Sequence, residues 1–157
     1  MISKLISVLY SRQEGVWKIG VFGLTMEGTS QRSHTTRYAR GTSSYRAPEL
    51  LRSHTFTNKV DIWALGCVLY EVVTQKKAFE SDLELFNLFL KYISSREQPR
   101  MLLDMGEYQD ENLQSSVREL VHTMLRFDPS MRPSAVQLMD SMKLAFGDHW
   151  KSTDSEI

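Results

Sequence analysis

Two rhythms of apolar residues divide this chain. Residues 5–10 and 16–19 are short runs rich in apolar and β-branched side chains, joined by Ser11-Arg12-Gln13-Glu14-Gly15. A linker of that length closed by glycine predicts a β-hairpin. From Thr25 to Thr42 the chain is rich in Ser, Thr, Gly and Arg and has no apolar period, which predicts a loop too long to be a mere connection. After Pro48 the period becomes helical. Asn58 to Thr74 is apolar nearly all round (Val60, Ile62, Trp63, Ala64, Leu65, Val68, Leu69, Val72, Val73), a surface that belongs in the middle of a domain. Ser81-Asp82-Leu83-Glu84 has capping-box spacing: the serine oxygen takes a free backbone N–H and Glu84 reaches back. An amphipathic helix to Ile93 follows. Leu113, Val117, Leu120, Val121, Met124 and Leu125 mark a further helical face. The last helix opens at Pro133 and Ser134, with Gln137 completing a second capping box, and runs to Phe146. Residues 147–157 form a polar tail that frays. The predicted fold is mostly α with a small β element, and the N-terminal hairpin is its only strand signal.

Composition narrows the classes. At 157 residues the chain fits one domain able to bury most of its apolar side chains. Nineteen basic residues balance nineteen acidic ones, so no net field draws it to nucleic acid or an anionic membrane. The longest uncharged apolar stretch, Ile62 to Tyr70, is far too short to span a bilayer. Met1 to Tyr10 is a poor match to a signal peptide, with no small-residue cleavage site after it. The single Cys67 lies among apolar residues and reads as a small buried hydrophobe rather than a reactive thiol. A lone cysteine makes no intrachain disulfide, which favours a cytoplasmic or nuclear home.

Four short segments carry the chemistry. They are Val21-Phe22-Gly23, then Gly41-Thr42-Ser43-Ser44-Tyr45-Arg46-Ala47-Pro48-Glu49, then Asp61-Ile62-Trp63-Ala64-Leu65-Gly66, and near the C-terminus Asp128-Pro129 with Arg132-Pro133. Each alone is weak. In this order and spacing, and with this helix layout, they resemble the second half of a eukaryotic protein kinase domain of Ser/Thr type, over roughly residues 4 to 146. The resemblance implies a large-lobe fold: residues 1–20 as the hairpin region, 21–49 as the activation segment and 58–146 as the helical core. It also implies a buried ion pair between Glu49 and Arg132, whose planar fork can meet both carboxylate oxygens. Asp61 is read either as an acidic residue favoured by the helix dipole or, as in the family, as an acceptor for catalytic-loop N–H groups. Trp63 and Gly66 are read as core packing and close helix approach. Thr42 and Tyr45 match the segment that cradles the substrate residue next to the phosphoacceptor. Ser30, Ser33, Thr35 and Thr36 match the stretch where activating phosphorylation occurs, with Arg37 and Arg40 as local cations. A plain solvated Ser/Thr loop accounts for them equally well. The Arg that precedes the family's catalytic Asp has no match.

The family's first segment is Asp-Phe-Gly, whose Asp holds the magnesium that bridges the ATP phosphates. Here that position is Val21. Magnesium demands hard oxygen ligands, and valine has no lone pair to offer. Placing Val8-Leu9 on the strand after the catalytic loop puts Lys4 on that loop's Lys. Ile2 then stands at the catalytic Asp and Ser7 at the metal-binding Asn. In this register no catalytic residue is intact, because Ile2 cannot accept a proton from a hydroxyl. Neither a Gly-rich phosphate loop nor a Val-Ala-x-Lys occurs in the sequence. The expectation is a truncated kinase-like domain needing no ATP, magnesium or other metal, which acts by binding a protein partner or the missing N-terminal kinase region. The alternative is a fragment of a working protein Ser/Thr kinase. Without the helices that precede it in the family, the helix over 58–74 is expected to expose an apolar patch. That patch and the helix over 82–93, through Leu85 and Leu88, are the expected docking surfaces.

Overall fold

The computed structural model describes residues 8–20, 33–35, 41–53, 55–99 and 111–146. Its first element is the hairpin. Strand β1, Val8–Ser11, pairs antiparallel with β2, Val16–Ile19, in the register Val8 to Ile19 and Ser11 to Val16. Ser11 is thus in the strand, and four residues make the connection. Gly15 closes it at φ +66°, a left-handed conformation that glycine adopts without steric cost.

A second ladder corrects the expectation of a single strand signal. β3, His34–Thr35, pairs antiparallel with β4, Thr55–Phe56, and the His34 and Phe56 rings lie 6.0 Å apart. Two-residue strands leave no alternation to detect in a sequence. Between them lies helix α1, Pro48–Arg52, with proline at its start, where a missing N–H costs nothing.

Helix α2, Lys59–Thr74, is the centre of the fold. Trp63 stacks on Phe79 at 5.4 Å and tilts against Phe127 at 5.6 Å. Phe127 in turn meets Phe89 and Tyr92 edge-on at 5.8 and 5.5 Å. On its other side α2 packs on helix α4, Glu111–Met124, at Gly66. A Cβ there would sit 2.9 Å from Met124 Cβ and 3.0 Å from Leu125 Cδ2, so the approach requires glycine. Cys67 is buried on the same helix, and loss of solvent pushes its thiol pKa well above the ordinary range. The apolar face expected to be exposed on α2 is partly covered. Val72, at 49%, is its one strongly exposed large apolar side chain among the described residues, and Leu65, Leu69, Tyr70 and Val73 are half-buried.

Both capping boxes form. Ser81 Oγ accepts the Glu84 N–H at 3.2 Å ahead of helix α3, Asp82–Ser95, while the Glu84 carboxylate takes the Glu80 N–H at 2.7 Å. Ser134 and Gln137 exchange reciprocal bonds of 3.2 and 2.8 Å ahead of α5, Ala135–Phe146. Leu138 of α5 joins Ile62, Leu120 and Met124 in a small second cluster. The expected docking role of Leu85 fails on burial: it is fully buried and Leu88 is half-buried, so this face of α3 belongs to the core. The exposed apolar side chains of α3 are Leu83 and Leu90.

Candidate functional site

The segment from Gly41 to Glu49 is held from three sides. Its first turn is closed by the Tyr45 N–H, which donates to the Thr42 carbonyl at 3.2 Å. Gly41 sits at φ +87° and Ser44 at φ +73°. Arg46 folds back over the turn and donates from Nε and Nη2 to the Gly41 carbonyl at 3.1 and 2.8 Å. Its Nη1 pairs with the Asp82 carboxylate at the start of α3. Ser44 reaches the same place: its hydroxyl donates to the Glu80 carbonyl at 2.9 Å and its N–H to Asp82 at 3.4 Å. Tyr45 is buried, and its hydroxyl donates to the Glu71 carboxylate near the end of α2.

The third anchor is ionic. Arg132 donates from Nη1 and Nη2 to the two oxygens of Glu49 at 2.7 and 2.8 Å, a bidentate pair. Nε donates to the Arg126 carbonyl at 2.7 Å, and the head group also reaches the carbonyls of Lys59 at 3.1 Å and Phe127 at 3.4 Å. The guanidinium lies 4.9 Å above the Trp63 ring, a cation–π contact. A buried cation is tolerable here because its three nitrogens all donate and one face lies on the Trp63 ring. Lys59 Nζ donates to the Arg132 carbonyl at 2.6 Å, and its pKa is lowered, first by desolvation and then by the Arg132 charge. Asp128 opens the 3-10 turn Pro129–Met131 that delivers Arg132. It accepts from the Ser130 N–H at 2.8 Å and Ser130 Oγ at 2.7 Å, bonds that hold its carboxyl below the usual range.

The structure thus brings Glu49, Arg132 and Trp63 together, with Thr42 and Tyr45 on the adjoining turn. Asp61 lies half-buried in the first turn of α2. Ser33 and Thr35 are exposed. Val21, Phe22, Gly23, Ile2, Lys4, Ser7, Ser30, Thr36, Arg37 and Arg40 lie outside the described residues. The set Glu71, Glu80, Asp82 and Arg46 escaped the sequence reading. Arg46 stands inside a quoted motif, and Asp82 inside a quoted capping box, but nothing local joins the two.

Fold and segment define a class. Residues 4–142 match the protein kinase domain, and the chain belongs to that family, in its eukaryotic Ser/Thr branch. Among its relatives is the serine/threonine-protein kinase Nek8 of Danio rerio, 35% identical over 136 residues, which are 87% of this chain and 18% of that protein. The serine/threonine-protein kinase nekl-2 of Caenorhabditis elegans is 31% identical over 134 residues, 85% of this chain and 34% of that one. Mouse Nek5, also a serine/threonine-protein kinase, is 33% identical over 133 residues, 85% of this chain and 20% of that one. The chain therefore spans between 18% and 34% of the length of these three. By the resemblance, Val21 stands where the family has its magnesium ligand, and a hydrocarbon side chain has no lone pair to give the ion.

Proposed function

We propose that this chain is a kinase-family large lobe without phosphoryl transfer, which acts by holding a segment of a partner protein along residues 41–49. The observation that carries the reading is Val21. Phosphoryl transfer works almost entirely by positioning and by the electrostatics of bound metal, and an aliphatic side chain supplies neither charge nor ligand. The binding half of the reading is supported by the segment itself. Its turn is tied to α2, to α3 and to Arg132, so little conformational entropy is left for a partner to remove. The partner is either a separate protein or the N-terminal region that family members place against this lobe.

The short coverage of longer relatives favours a second reading, in which the same lobe serves a working Ser/Thr kinase. Two measurements on the 157-residue chain separate them. With magnesium and ATP the melting temperature stays unchanged, and no radiolabel passes from ATP to a peptide. A rise of several degrees, or label transferred, overturns the inactive reading. An arrayed random peptide library centred on Ser or Thr tests binding: retention is expected, and its loss on Thr42→Asp places the contact at this turn.

A further inference from the structure

We infer that Asp82, the first residue of α3, is a positioning residue for the turn Gly41–Tyr45, so that this turn and the start of α3 move as one body. The inference rests on the reading of residues 41–49 as the partner-facing segment. Three bonds from residues 44 and 46 cross to residues 80 and 82, far along the chain. Their division of labour is specific. Two guanidinium donors of Arg46 share the Gly41 carbonyl, which fixes the plane of the head group and points Nη1 at Asp82. One Asp82 oxygen takes that donor and the other faces the Ser44 N–H.

The side chains of Arg46 and Asp82 are 20% and 28% exposed, so solvent and salt screen the pair only in part. Ser44 gives the arrangement something to hold. At φ +73° it occupies a backbone region that residues with a Cβ keep only when their surroundings over-determine it. The surroundings here are Glu80 and Asp82.

Asp82 is also not needed as the cap of its own helix. Ser81 already accepts the Glu84 N–H, so the charge at the next position is available to the turn. The Asp82→Asn substitution keeps the shape, the Ser81 cap and an oxygen for Ser44, and removes the charge that Arg46 meets.

The test uses the isotope-labelled full chain. The Tyr45 N–H, bonded to the Thr42 carbonyl, reports whether the turn is closed. The Leu125 N–H, bonded to the Val121 carbonyl at 2.9 Å, reports the core. In Asp82→Asn the Tyr45 amide is expected to exchange faster by about tenfold, with a shifted Arg46 Nε–H resonance and an unchanged Leu125 amide. Arg46→Gln should give the same local pattern, and the double variant should add little to either single one. The peptide library retained by the wild type should be retained about tenfold less by Asp82→Asn. Unchanged Tyr45 exchange in both variants overturns the inference. So does equal acceleration of Tyr45 and Leu125, which marks a merely structural role, or peptide retention equal to the wild type. If the wild type retains no peptide, the binding reading fails on its own, and the exchange data still decide the role of Asp82.

Discussion

Cutting the Glu49–Arg132 pair from its two ends should give unequal costs, and the geometry fixes their order. Glu49→Gln keeps the volume and one acceptor but turns an amide N–H toward the guanidinium. Arg132 then keeps the carbonyls of Arg126, Lys59 and Phe127 and the face of Trp63. The cost should sit at the low end for a broken buried pair, about 3 kcal/mol. Arg132→Met does more. The Glu49 carboxylate, 13% exposed, loses its partner, and the Arg126 and Lys59 carbonyls lose donors at hydrogen-bonding distance. An orphaned buried acceptor costs about 1–3 kcal/mol, which brings the total to about 5 kcal/mol or more. Against an ordinary domain stability of about 5–15 kcal/mol, the second variant stands near the folding threshold. Urea unfolding followed by tryptophan emission measures both, since the Arg132 charge lies over the Trp63 ring. At this chain length Glu49→Gln should lower the melting temperature by roughly 6–12 °C. The Glu49→Leu, Arg132→Met double variant should recover part of the loss, because no unpaired charge remains. A smaller loss for Arg132→Met than for Glu49→Gln, or losses below about 1 kcal/mol for both, would refute the reasoning.

Three further outcomes follow from other parts of the fold. Gly66→Ala should lower stability by about 1–3 kcal/mol despite alanine's better helix propensity, because its Cβ would press on Met124 and Leu125; a calorimetric rise in melting temperature would contradict this. Leu85→Asp should abolish cooperative unfolding, since the side chain is fully buried, whereas Leu83→Asp, at a position 69% exposed, should stay within about 0.5 kcal/mol of wild type in the same urea titration. Asp128 has a carboxyl depressed mainly by its bonds from Ser130, so its contribution is complete above the ordinary carboxylate range and is lost as pH falls through the depressed folded value. Melting curves of wild type and Asp128→Asn should therefore differ at neutral pH and converge in strong acid, and a gap that widens on acidification would exclude the linkage.

How far the fold could be read in advance depended on the range of the signal. The hairpin closed by Gly15, the boundaries of α2, and the two capping boxes are all written within a few residues, and the chain obeys them. The buried side of α3 shows where local reading stops. Leu85 and Leu88 are apolar on an amphipathic helix, a pattern identical for a face that docks a partner and one that meets its own core. Only the tertiary placement of Phe89 against Phe127 decides between them. The β3–β4 ladder is too short to carry a period. Around the candidate site the same division holds. Glu49 and Arg132 stood out because the two motifs that contain them were legible. Glu80 and Asp82 did not, because an acidic residue at a helix N-terminus has an adequate local explanation in the helix dipole, and Glu71 did not, because nothing local joins it to Tyr45.

The described anchors of the 41–49 segment reach far across the chain. The described bonds that hold the segment run from Gly41, Ser44, Tyr45, Arg46 and Glu49 to Glu71, Glu80, Asp82 and Arg132. Arg132 in turn is secured by the carbonyls of residues 59, 126 and 127. The shape of the segment therefore loads on contacts with α2, α3 and the turn before Arg132 rather than on its own nine residues.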